Sequence, residues 1–294
     1  MGNKRLLAWL IVVIVLGGAA ISSALVFRVN IIMVEFKNDI EYIQDEKAAS
    51  KVYVKAASSV AKGRNILIGL NRKKIKNAIE NADPRISVRN IEAKIPNKLE
   101  IRVRERYPLY YFTDETSGRT AIMDATLRIV TDGDDFDRIN DKRDASEKLV
   151  KISGQFEVNE EFVDFEAGDS LAKYCVDELD LLKFQTLADM AGLFAGQKIN
   201  EDALSHLFES VIFSYGANME MQIRSERAQG NIINIEIRQV NDRFAIKLSA
   251  AWYVLENKSE YEPGRIVIET AEDSQIHWMW FPNSGLPEWG IVVE

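Results

Sequence analysis

The chain has 294 residues, 47% of them hydrophobic, and a formal net charge of −8. That apolar share excludes overall disorder, and a single cysteine, Cys175, excludes an internal disulfide, so an exported fold of this composition stands on packing alone. Charge is uneven along the chain: residues 62–106 hold roughly eight more basic than acidic side chains, and residues 132–181 roughly ten more acidic than basic, which points to two domains.

Residues 6–27 carry no charge and are closed by Arg5 and Arg28. As a helix this run is roughly 33 Å long against a hydrocarbon core of roughly 30 Å. Its Leu, Ile, Val and Phe residues favour insertion. Lys4 and Arg5 keep the tip, residues 1–5, in the cytoplasm, and everything after Arg28 is then exported. The rival reading is a cleaved signal peptide, with Gly17 to Ala20 and Ser22 to Ala24 as its small residues; the return of Leu25, Val26 and Phe27 speaks for an anchor. No second apolar run is long enough to span, so the topology is single-pass.

Residues 28–36 predict a strand apolar on both faces and hence covered on both. Helices follow at 45–61, with Asp45 and Glu46 at the positive end, and at 72–81, with Asn71 as N-cap and Asp83–Pro84 as terminator. Strands are predicted at 86–95, with a slip near Asn90, and at 99–106, where Leu99, Ile101 and Val103 alternate with charged residues. Pro96, Asn97 and Lys98 form the turn. The order is β-α-α-β-β. The basic face of this region suits anionic lipid or wall polymer, or is a solvated face beside a membrane.

Several stretches here resemble a known family: Gly63-Arg-Asn-Ile-Leu, Leu70-Asn, Asp83-Pro-Arg-Ile-Ser-Val, and the run from Lys94 to Pro108, in which Leu-Glu-Ile-Arg-Val-Arg-Glu-Arg-Tyr-Pro is the most specific phrase. They look like the POTRA domain of the bacterial division proteins FtsQ and DivIB. The resemblance implies a cytoplasmic tip (1–5), a transmembrane helix (6–27), a POTRA domain (28–106), a β domain (107–281) and a C-terminal tail (282–294). The fold class expected is α+β, the second domain being mixed with an antiparallel sheet. Residues 122–130 resemble the family's next hairpin. Arg85 and Ile95 stand where the family often has Trp.

Beyond Val130, residues 131–147 predict a loop and 149–154 a short strand. Helical spacing runs through 170–190, placing Cys175 as a buried core thiol, and a further helix is expected at 201–211. Residues 233–237 alternate as a half-buried antiparallel strand, Asn241–Asp242 turns, 244–255 returns as a strand, and 266–270 pairs with 275–281 around Ala271 to Ser274. Pro282 is expected to stop the last strand. That strand is apolar on both faces: Ile276, Trp278 and Trp280 alternate with His277, Met279 and Phe281. One reading makes it a terminal edge that pairs with a partner chain; the other makes it central, or packed on the tail 286–293. The resemblance implies the first, with Gln275, Ile276, His277, Trp278, Met279 and Trp280 contacting a coiled-coil division protein of the FtsB/DivIC kind, FtsL-like proteins alongside, and the septal wall synthase reached indirectly. The family's acid–base pair on the penultimate strand reads Val267 and Glu269 in this chain.

Chemistry is sparse. There are two histidines, His206 and His277, and one cysteine. Neither a Cys–His pair nor a multi-His metal site is easily built from these. There is no G-x-S-x-G elbow, and Gly63 to Gly69 lacks phosphate-loop spacing. Glu160 and Glu161 read as solvent-facing. No cofactor, metal or nucleic acid is expected. The expectation is a non-enzymatic scaffold of the division machinery at the cell membrane. The alternatives are another POTRA-bearing assembly or transport factor, and an envelope enzyme acting on wall polymer.

Overall fold

The computed structural model describes residues 26–292 apart from 38–42, 44, 145–146, 197–205, 225–229, 241–242, 258, 260 and 273. All but the last two residues of the predicted anchor, and the turn at 241–242, lie outside the described residues. Among the described residues no helix is long and apolar enough to cross a membrane. The chain divides into two compact units, Met1–Arg106 and Tyr107–Glu294.

In the first unit, β1 (Ile31–Phe36), α1 (Glu46–Ala61), α2 (Arg72–Ala82), β2 (Ile86–Lys94) and β3 (Lys98–Glu105) build a three-stranded sheet in the order β1-β3-β2, with β1 parallel to β3. Both helices start where short polar side chains can take an orphan N–H: Asp45 accepts from Ala48 at 2.9 Å and Asn71 from Lys74 at 3.0 Å. Asp83 ends α2 and ties the unit together. Its carboxylate takes the Tyr53 hydroxyl at 2.7 Å and both arms of the Arg85 guanidinium at 2.9 Å. Burial alone would raise the Asp83 carboxyl, but the hydrogen bonds from Arg85 and Tyr53 outweigh it and hold the group below its ordinary range. The slip predicted near Asn90 is a register shift between Val88 and Asn90, and the buried Glu80 accepts the Val88 N–H there at 2.8 Å. One expectation fails: among the described residues β1 pairs only with β3, and Ile31 and Met33 are 49% and 40% exposed, so the strand is an uncovered edge.

The second unit is one ten-stranded sheet in the order β13-β12-β11-β10-β9-β8-β7-β4-β5-β6. Its strands are β4 (Tyr110–Thr113), β5 (Thr120–Met123), β6 (Ile129–Asp132), β7 (Val150–Gly154), β8 (Phe208–Ser214), β9 (Asn218–Ile223), β10 (Ile233–Ile237), β11 (Gly264–Thr270), β12 (Ile276–Pro282) and β13 (Glu288–Ile291). Most neighbours are antiparallel, but β4–β7, β7–β8 and β10–β11 are parallel, so the sheet is mixed. Its inner face packs on α4 (Glu178–Gly196) and α5 (Phe244–Asn257) around one core that takes in Val150, Phe184, Phe213, Ile235, Leu248, Ile268 and Trp278.

Several sequence expectations change here. The loop expected at 131–147 holds the end of β6, a 3-10 turn (Gly133–Asp135) and the short helix α3 (Phe136–Asp141). Phe136 and Ile139 of α3 cover Ile122 and Leu149 on the sheet's outer face. The single helix expected over 170–190 is broken: Leu171–Tyr174 is a 3-10 turn, Cys175 bridges Val158 in extended form, and α4 starts afresh at Glu178. Cys175 is only half-buried, yet burial, with Asp180 and Asp177 nearby, pushes its thiol up to about 12. The helix expected at 201–211 is strand β8 from Phe208 onward, with the β-branched Val211 and Ile212 inside it. The strand expected at 244–255 is helix α5, and it makes the crossover that lets β10 and β11 run parallel. Its Lys247 is fully buried, donating to the carbonyls of Arg238 and Gln239 at 2.8 Å each. Strand β10 is thus central rather than purely antiparallel. The tail at 282–294 is not merely a tail, because β13 pairs with β12, which itself runs through Pro282.

Candidate interaction edge

Alternation on β12 sorts the predicted site residues. Ile276, Trp278 and Trp280 point into the core beneath α5 at 2%, 9% and 3% exposure. His277, Met279 and Phe281 lie half-buried on the outer face, and Gln275 sits exposed at the hairpin. The strand is paired on both sides: with β11 through Ile266↔Trp280 and Ile268↔Trp278, and with β13 through His277↔Ile291, Trp278↔Gly290, Met279↔Trp289 and Trp280↔Glu288. The expected open edge therefore moves outward by one strand, to β13.

Two glycines make this packing possible. A Cβ on Gly290 would stand 2.6 Å from three atoms of the Trp278 indole, and one on Gly264 would stand 2.4 Å from Trp280 Cη2. Both positions need a residue without a side chain, because an indole, and at Gly264 also the Phe281 carbonyl oxygen, occupies the space a Cβ would take.

The hydrogen-bond phase of β13 follows from Val292, whose N–H donates to Ile276 O at 2.8 Å. In an antiparallel ladder the paired residues alternate, so Glu288, Gly290 and Val292 face β12, while the N–H and C=O groups of Trp289 and Ile291 face the free side. Among the described residues no main-chain partner takes those groups. Beside this edge, on the inner face, opens a groove of about 500 Å³ lined by Ile246, Ala250, Tyr253, Trp278, Gly290 and Val292. On the outer face Trp289 and Ile291 are 72% and 44% exposed next to Met279. The apolar surface ends at β10 and β11. There Arg238 donates to Glu236 and Glu269 at 2.7 Å each, and Arg265 lies 3.6 Å from Glu236.

Sequence reasoning missed Trp289, Gly290, Ile291 and Tyr253. The signal for the first three was short: after Pro287, Trp289 and Ile291 alternate with Glu288 and Gly290. Elsewhere in this unit His206 sits 3.2 Å from Glu147, both side chains 40% exposed, and Glu160 and Glu161 are exposed at the start of a 3-10 turn. Among the described residues no group of His, Cys, Asp or Glu is placed to hold a metal ion.

Residues 42–106 match the family model of the POTRA domain, FtsQ-type. The chain carries an FtsQ-type POTRA domain. The match takes in α1, α2, β2 and β3, and the structure adds β1 by its parallel pairing with β3. It supports assignment to the FtsQ/DivIB family, and an FtsQ-type POTRA domain suggests a role in cell division. A search of the curated proteins finds no match.

Proposed function

We propose that this chain is a non-enzymatic scaffold of the bacterial division machinery. Residues 6–27 anchor it in the cell membrane, its two units lie outside, and its closing β-ribbon receives an extended segment of a small coiled-coil membrane protein of the FtsB/DivIC kind. Through that partner, with an FtsL-like protein, it helps regulate septal wall synthesis.

The observation that carries the reading is the free side of β13 beside an apolar groove. A strand added there would bond to Trp289 and Ile291 through its main chain and set alternate side chains over Trp278 and Tyr253. Met279 and His277 then support the edge from β12, one strand further in, and Trp278 forms the groove wall.

The test is affinity capture with the detergent-solubilised full chain. Two small bitopic coiled-coil proteins should co-purify with it. Ile291→Pro removes an outward N–H on an edge strand, where proline is tolerated, and should cut recovery at least tenfold with the circular dichroism of the chain unchanged. Undiminished capture by that folded variant sinks the edge reading, and recovery of wall sugars alone favours an envelope enzyme.

A further inference from the structure

The loop between α1 and α2 is tied to the point at which the uncharged run 6–27 ends. Val29 N–H donates to Arg64 O at 2.9 Å, Gly63 N–H to Val29 O at 3.0 Å, and Ile66 N–H to Phe27 O at 2.7 Å. Arg28 and Asn65 form an antiparallel bridge. Residues 63–66 therefore lie about one strand spacing, ~5 Å, from Phe27 to Val29.

What this loop carries outward is apolar. Ile66 is buried, but Leu67 and Ile68 are 57% and 88% exposed. They are held there by main-chain geometry: Gly69 N–H donates to Asn65 O at 2.8 Å, and Leu67 N–H to Asn65 Oδ1 at 2.9 Å. The segments on either side of the pair carry Lys62, Arg64, Arg72, Lys73 and Lys74, and Arg28 is bridged to Asn65; all six are exposed. From residue 62 to residue 79 there is no Asp or Glu. Among the described residues no ion pair engages Lys62, Arg64, Arg72, Lys73 or Lys74.

A solvated face accounts for the cations but not for two adjacent aliphatic side chains presented by a hydrogen-bonded turn. An anionic wall polymer has the same shortcoming, since it offers Leu67 and Ile68 nothing apolar. A bilayer surface accounts for both, with acyl chains below the headgroups for the aliphatics and anionic headgroups for the cations.

We propose that this loop is a membrane-surface clamp: Leu67 and Ile68 enter the interfacial layer, and the surrounding Lys and Arg side chains contact anionic phospholipid headgroups. The clamp rests on the reading of residues 6–27 as a membrane anchor. It fixes the orientation of the first unit on the bilayer, which a single point of attachment would leave free.

The experiment uses the full chain in a Cys175→Ser background, reconstituted into phosphatidylcholine vesicles with and without phosphatidylglycerol. An environment-sensitive dye is placed at Ile68→Cys or, as the control, at Lys51→Cys in the exposed middle of α1. Quenching by lipid carrying a nitroxide on its acyl chain reads depth, and resistance to alkaline extraction reads anchoring separately. The expected result is severalfold stronger quenching at 68 than at 51, falling when phosphatidylglycerol is left out. Equal quenching at the two positions in a chain that resists extraction overturns the clamp while the anchor stands. Equal quenching at 68 with and without phosphatidylglycerol overturns the headgroup contact. Release by alkali overturns anchor and clamp together.

Discussion

The two ends of the ten-stranded sheet are finished differently. At the β6 end the backbone is tied down where the strand begins: Ile129 N–H donates to Asp169 O at 2.8 Å, Gly168 N–H to Ile129 O at 2.8 Å, and Leu171 N–H to Leu127 O at 3.0 Å, with Arg128 bridging Ser170. That segment is locked in turn by the Asp169 carboxylate, which takes the Tyr174 hydroxyl, the Lys173 ammonium at 3.2 Å and the Glu166 N–H at 3.2 Å. At the β13 end nothing comparable occurs among the described residues, and the strand has four residues against the seven of β12. An exposed sheet edge invites pairing, and chains without a use for one cover it. Among the described residues this chain ties down the start of one edge strand and leaves the other edge bare beside an apolar groove, and the proposed partner strand rests on that difference.

The largest effect is expected from removing the support of the open end. Trp278→Ala deletes a buried indole beneath Gly290 and should cost about 3–5 kcal/mol in denaturant unfolding. It should also abolish partner capture, and a variant that keeps both stability and capture breaks the account of the edge. The closed end should instead respond to acid. Burial would raise the Asp169 carboxyl, but hydrogen bonds from Tyr174, the Glu166 N–H and Lys173 outweigh it and hold the group below its ordinary range. A carboxyl depressed on folding contributes stability above its unfolded value of about 3.9, and this is lost as pH falls through the folded value. Amide exchange at Ile129, Gly168 and Leu171, compared with Asp169→Asn, should therefore converge between wild type and variant at low pH and diverge above it. Protection that is equal at neutral pH removes the lock. The smallest effect concerns the core under the closed half. The Tyr110 hydroxyl is wholly buried with no hydrogen-bond partner among the described residues, and burial pushes its phenol up. Tyr110→Phe should raise stability by about 1 kcal/mol, seen as a higher denaturation midpoint. A lower midpoint would mean that the hydroxyl has a partner after all.

In the first unit the residues spelled out the structure almost position by position. Asp45 and Asn71 are caps whose side chains reach their own helix three residues on, Leu99, Ile101 and Val103 alternate on a half-buried strand, and the slip at Asn90 breaks that alternation in plain view. All of these are short-range effects. The exposure of β1 was not legible, because whether an apolar strand is covered depends on what the rest of the chain brings to it.

In the second unit local signals misled wherever a segment is apolar on more than one side. Residues 244–255 read as a strand returning after the turn at Asn241–Asp242. They form a helix because the crossover between β10 and β11 needs one, with Leu248, Ala251 and Leu255 meeting the sheet and Lys247 satisfied by two strand-end carbonyls. The alternation sorted Ile276, Trp278 and Trp280 from His277, Met279 and Phe281, but both sets are apolar, and only the packing beneath α5 made the first the buried face. Whether β12 is an edge could not be read there, since that depends on a four-residue strand whose close approach to Trp278 needs a glycine at position 290. The sequence by itself determined the FtsQ-type POTRA unit and which side chains share a face of β12, because caps and alternation act within a few residues. Only the tertiary structure decided which strand is outermost, because strand order is set by contacts between segments far apart in the chain.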